Sequence, residues 1–179
     1  ACGDALTIGN NNVAVGFNAL TADDVGSSNV AIGVSALAAQ NSPGNSANVM
    51  LNTAVGTQAG QAVTEGHSNT LIGAKAGDTI TTGVRHVCIG DNSGAVLAAG
   101  NDCIMIGSTT TASTAAAASQ YAMGSGVTCV GNGNFTFGTG TTDSNIANGA
   151  TSISAPSDQR YKEEIADATA GLSFINDLR

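Results

Sequence analysis

Ser157 and Lys162 stand five residues apart in SDQRYKEEI, the segment from Ser157 to Ile165, and are the pair in this sequence best suited to covalent chemistry. A serine hydroxyl is a weak nucleophile until a base takes its proton. Lysine serves as that base when burial or nearby cations lower its pKa. Such a dyad would cut the chain beside the serine, with Asp158 the residue after the cut, and Arg160 would depress the Lys162 pKa or hold the strand. An extended chain keeps the two too far apart for a hydrogen bond, so a turn or a neighbouring subunit must join them. On residue types alone the plainer arrangement is commoner: Ser157 capping a helix and Lys162 solvated.

Other candidate positions carry less chemistry. Threefold symmetry would gather three copies of His86 around an axis as a metal site, but no second ligand stands at metal spacing, and a stacked or surface histidine is the expectation. Asp91, Asp102 and Asp143 are scattered singly and form no calcium repeat. Cys2, Cys88, Cys103 and Cys129 read as free, mostly buried thiols, because a chain of this length does not need a disulfide framework. No metal and no cofactor is expected, and nothing points to an enzyme with turnover.

The elements that would position these groups are repeats. Glycines follow short apolar runs at Gly9, Gly16, Gly33, Gly56, Gly73, Gly90, Gly107, Gly124, Gly131 and Gly138, with a spacing of 17 residues, a shorter 7 at both ends and a single 23. The long interval holds an insertion near Asn41 to Ala47, NSPGNSA, a surface loop. The units read NVAVGFNAL from Asn12, NVAIGVSAL from Asn29, NTAVGTQAG from Asn52, NTLIGAKAG from Asn69 and HVCIGDNSG from His86. Alternation with period two places Val13 with Val15, Val30 with Ile32 and Thr70 with Ile72 on one face, and Ala14, Ala31 and Leu71 on the other.

Both faces are apolar, so each strand should be covered twice, once by its own coil and once by a neighbouring subunit. Strands this short cannot bury a face alone and must stack as a solenoid, rising roughly 35 to 40 Å at ~4.8 Å per strand. The Asn at the head of each unit is expected to cap a turn or form a ladder, decaying to His86, Cys103, Gln120 and Val127. Even STTTASTAAAASQ, from Ser108 to Gln120, keeps the spacing.

The Asn-x-Ala-(Val/Ile)-Gly units, over roughly Leu6 to Gly138, resemble the left-handed parallel β-roll repeats of trimeric autotransporter adhesin heads and phage tail fibres. SDQRYKEEI and the later GLSFINDLR resemble the opening of the intramolecular chaperone domain (peptidase S74 type) that ends phage tail spikes, endosialidases and related fibres. The first resemblance implies an all-β, trimeric parallel β-roll or β-solenoid. The second implies a domain that trimerises, guides folding of the shaft and cuts itself off once at Ser157/Asp158, with Ser157 and Lys162 as the dyad.

Composition agrees with a thin fibre and sets the boundaries. The 179 residues include 24 Gly, four Phe, two Tyr and no Trp, and the apolar 42% is mainly Ala, Val and Ile. Ten of the first 157 residues are charged, against eight of the last 22. The expected division is a shaft over 1–138, a Ser/Thr/Asn/Gly-rich neck over 139–156, and the truncated start of the chaperone over 157–179. A short helix capped by Thr169 would end the chain, with Leu172, Ile175 and Leu178 on one face. Ala1 in place of Met reads as the start of a processed or excised piece.

With five Lys and Arg and a formal charge of −8, nucleic acid is excluded as a partner, and no apolar run reaches the ~18 residues of a membrane span. The expected function is a virion structural protein: a homotrimeric tail fibre or spike, assembled in the host cytoplasm, that meets other tail or baseplate proteins and binds a host-surface glycan or protein. The alternatives are a trimeric adhesin on a bacterial surface, which should continue into a coiled coil, and an ice- or surface-binding solenoid. The latter needs a regular Thr array, and only Thr53 and Thr70 recur at one position.

Overall fold

The computed structural model describes residues 1–42, 48–140 and 143–150. They form a parallel β-solenoid of about seven turns, with no helix among the described residues. The expected C-terminal helix lies outside them. Eight short strands stack in parallel: β1 (Val13–Val15), β3 (Val30–Ile32), β5 (Thr53–Val55), β6 (Thr70–Ile72), β7 (Val87–Ile89), β8 (Ile104–Ile106), β9 (Tyr121–Gly124) and β10 (Asn134–Gly138). A ninth, β11 (Ser144–Ala147), turns back antiparallel on β10. On another side of the coil β2 (Gly26–Ser27) pairs in parallel with β4 (Asn48–Val49).

Register follows the repeat. Val13 faces Val30, Thr53 faces Thr70, and Ile104 faces Tyr121, so the Ala/Thr-rich stretch before β9 does keep its coil. The long interval also holds register, with Val30 opposite Thr53.

The glycine after each strand ends it. Gly73 has φ +132°, and a Cβ there would sit 2.5 Å from the Gly90 carbonyl oxygen. Only a residue without a side chain lets adjacent coils approach so closely. Gly16, Gly33, Gly56, Gly90, Gly107 and Gly124 repeat this arrangement.

Two glycines assigned to that column by spacing belong elsewhere. Gly9 stacks on Gly26 and not on Gly16, so its separation of 7 from Gly16 is not a coil. Gly131 closes no coil: Gly138 pairs directly with Gly124, and a Cβ at Gly131 would meet only Asn134 Nδ2 at 3.8 Å. The last coil is thus a single short one, and its Asn-column residue is Asn134, since Phe135 faces Tyr121. Val127 is an apolar core residue, wholly buried.

The core is one side chain thick. The middle residue of each strand points inward, as Ala31, Ala54, Leu71, Cys88, Met105 and Ala122 are all buried. Volume is shared between coils. Where the inward strand residue is Ala31, the turn position four after the glycine is Leu37, held at φ 49°. Where it is Leu71 or Cys88, that position is Gly77 or Gly94, and a Cβ on Gly77 would lie 2.7 Å from Leu71 Cδ2. In these coils a large residue on one wall meets a small one on the other, and beside the small pair Ala54 and Gly60 the space is filled by Leu37 and Leu71 of the neighbouring coils.

Candidate functional site

Three features of the coil bear on function. The first is the outer face of the long sheet. Because the middle residue of each strand points inward, its two neighbours point out, and they form two rows along the solenoid. One runs Val13, Val30, Thr53, Thr70, Val87, Ile104 and Tyr121, and the other runs Val15, Ile32, Val55, Ile72, Ile89, Ile106 and Met123. No charged residue interrupts either row. Val13 is 46% exposed, Val15 55% and Met123 48%, and Ile32, Ile72 and Ile104 are also exposed. At the far end Phe135 and Phe137 stack on each other, ring centroids 5.2 Å apart.

The second feature is the Asn column. Asn29 N–H donates to Asn12 Oδ1 at 2.9 Å, Asn69 N–H to Asn52 Oδ1 at 2.9 Å, and His86 N–H to Asn69 Oδ1 at 2.9 Å. Three of the amides also tie a turn on the far side of the coil: Asn12 Nδ2 donates to the Gly26 carbonyl at 2.8 Å, Asn52 Nδ2 to that of Gly66 at 2.8 Å and Asn69 Nδ2 to that of Gly83 at 2.9 Å. The expected alternatives of capping and laddering are therefore one arrangement. A branch buries Gln40 and Asp23, with Asn52 Nδ2 donating to Gln40 Oε1 at 2.8 Å and Gln40 Nε2 to Asp23 Oδ2 at 2.6 Å.

His86 continues this column and is fully buried. Its Nδ1 accepts the Cys103 N–H at 3.2 Å, which requires the neutral ring. Burial pushes the imidazole pKa down to about 4, against the Asp102 charge and the Gly100 carbonyl, which favour a proton. Nε2 makes no hydrogen bond of ordinary geometry. Nearby, Arg85 grips Asp102 at the surface through two bonds of 2.7 and 2.9 Å. Among the described residues no group of three or more His, Cys, Asp or Glu could hold a metal ion. Cys88, Cys103 and Cys129 are buried free thiols and Cys2 is exposed.

The third feature was not anticipated from the sequence. At the corner beyond each strand-ending glycine the backbone forms a second ladder. Gln58 N–H donates to the Val34 carbonyl at 2.8 Å, Lys75 to Thr57 at 2.9 Å, Asn92 to Ala74 at 2.8 Å and Thr109 to Asp91 at 2.9 Å. Gln58, Lys75, Asn92 and Thr109 all lie in the left-handed region, with φ between 52° and 60°. Over these coils a cleft of about 360 Å³ opens on the small Ala74, lined by Thr57, Gln58, Lys75, Asp91, Asn92 and Thr109. The signal available was the recurring polar residue two past the glycine, Asn18, Ser35, Gln58, Lys75, Asn92 and Thr109, hidden because residue types change from coil to coil.

Ser157, Asp158 and Lys162, the residues selected for chemistry, lie outside the described residues, as does most of the inserted loop (residues 43–47). No protein-family model, curated protein or solved structure matches this chain.

Proposed function

We propose that this chain is the repetitive shaft of a trimeric attachment fibre, of the class formed by phage tail fibres and spikes, followed by the opening of a self-cleaving chaperone. The observation that carries the reading is the outer face of the long sheet. Two rows without a charged residue, aliphatic and aromatic except for Thr53 and Thr70, run the length of the solenoid and are partly open to water. Contiguous apolar surface of this kind marks an interaction site, and covering it removes the remaining exposed part of each side chain from water. Because the rows run along the solenoid axis, copies related by rotation about a parallel axis cover one another along their whole length. The number three comes from the resemblance to β-roll fibres.

On this reading the protein folds in the host cytoplasm, is carried on the virion beside other tail or baseplate proteins, and binds a host-surface glycan or protein. The chaperone segment, with Ser157 as nucleophile and Lys162 as its base, cuts the full-length precursor once.

Sedimentation equilibrium of the purified chain is the direct test. A trimer is expected at micromolar concentration, and Ile72→Lys combined with Ile104→Lys should release folded monomers. A folded wild-type monomer would refute the fibre.

A further inference from the structure

We infer that the corner cleft is a binding site for a neutral, extended oligosaccharide lying along the solenoid axis. This deepens the attachment reading above, on which it rests for the source of the ligand but not for the chemistry of the site.

The cleft's shape sets the first constraint. Its lining comes from the same two positions of four successive coils, the residues just beyond Gly56, Gly73, Gly90 and Gly107. Equivalent groups therefore recur at the strand spacing, ~4.8 Å, over roughly 14 Å. That repeat is close to the length of one pyranose unit in an extended chain. A ligand with its own regular repeat of hydroxyls keeps register with such a wall.

The chemistry of the wall narrows the class. Gln58 and Asn92 each offer an amide donor and acceptor, Thr57 and Thr109 hydroxyls that do both, Lys75 donors and Asp91 acceptors. One cation and one anion leave the site without net charge, which disfavours phosphate, sulfate or a polyamine. Ala74 is the one apolar side chain in the lining, too small to anchor a peptide side chain. Nor can a peptide add to the ladder beneath, because the amide hydrogens of Gln58, Lys75, Asn92 and Thr109 already bond carbonyls of the preceding coils. Sugar hydroxyls, each donor and acceptor at once, suit this mixture.

Two more observations favour a saccharide. The ladder fixes the backbone of the floor, so few groups need ordering on binding. Farther down the same corner, Val34 is 46% and Phe17 66% exposed, continuing the polar wall with an apolar one. Phe17 lies two coils from the nearest cleft residue, so its apolar face is open to an oligomer long enough to run past Val34.

The test is a printed array of neutral hexose and N-acetylhexosamine oligomers of two to six units, with sialylated and sulfated oligomers and immobilised peptides alongside. The wild-type chain should bind neutral oligomers, more strongly as length rises, and added salt should leave binding unchanged. Ala74→Trp fills the floor from an exposed position, and Asn92→Asp removes a donor while keeping a residue that tolerates the left-handed region. Each should weaken binding at least tenfold with an unaltered thermal melt, whereas Thr128→Ala, outside the cleft, should not.

Binding confined to charged glycans or peptides, absent for every neutral oligomer, or unaffected by Ala74→Trp would overturn the assignment. Adsorption to host cells separates this from the attachment reading. Normal adsorption by Ala74→Trp removes the cleft and leaves attachment standing. Neutral glycan binding by a protein that adsorbs to no cell does the reverse.

Discussion

His86 Nδ1 accepts the amide hydrogen of Cys103 at 3.2 Å, the place that Asn69 Oδ1 holds for His86 itself one coil earlier. An imidazole does the work of an amide oxygen there only while it is neutral. A proton on Nδ1 would set two donors face to face in a site closed to water.

Stability should therefore depend on acid. The unfolded His86 takes its proton near the ordinary 6.5, but the folded one only at about 4. Between these values the unfolded state binds more protons, so stability is complete above 6.5 and falls as pH drops towards 4. The loss should approach about 3 kcal/mol. Chemical denaturation at pH 7.5, 5.5 and 4 measures it, and His86→Asn should remove most of the slope in that window.

Gly73→Val should destabilise more than Gly77→Ala. At Gly73 the new carbon meets the Gly90 backbone, which cannot yield without opening the sheet, whereas at Gly77 it meets the ends of Leu71 and Ile80. We expect about 3 kcal/mol or more against roughly 1–2 kcal/mol. Equal melting temperatures would contradict the column assignment.

Thiol accessibility should divide one against three. Burial pushes the Cys88 and Cys129 thiols up to about 12 and raises that of Cys103, so none supplies thiolate at neutral pH. A disulfide reagent should label Cys2 at once in the native protein and all four cysteines only in denaturant. Rapid native labelling of more than one would show that the coil opens.

Cleavage tests the far end of the chain. Expressed with a complete chaperone domain, the precursor should yield a shaft ending at Ser157 and a fragment beginning at Asp158. Ser157→Ala and Lys162→Ala should each leave it whole. Intact wild-type precursor after trimer assembly would eliminate autoproteolysis, and unchanged cutting by Lys162→Ala would discard only the base.

The solenoid was legible because glycine recurs after each strand, where the backbone of the next coil leaves no room for a Cβ. That signal misled at Gly9 and Gly131, which lie at similar sequence offsets but on other parts of the coil. The two apolar strand faces were also evident, but alternation alone did not say which faced inward. That depends on the size match between Leu71 and Gly77, or Ala31 and Leu37, contributed by separate walls. The cleft has no comparable sequence signal, for a related reason: Gln58, Lys75, Asn92 and Thr109 share a backbone conformation but no side-chain chemistry. His86 was placed in the column by its position, while its coupling to Cys103 needed the geometry.

The coil that crosses the inserted loop spans 23 residues between paired positions, and the last parallel coil 14, yet both keep their strands in step with the rest. Circumference is thus independent of axial pitch. Lengthening a corner changes what the surface displays without shifting any coil along the axis, so this architecture can acquire new surface loops one at a time while its backbone spacing stays fixed.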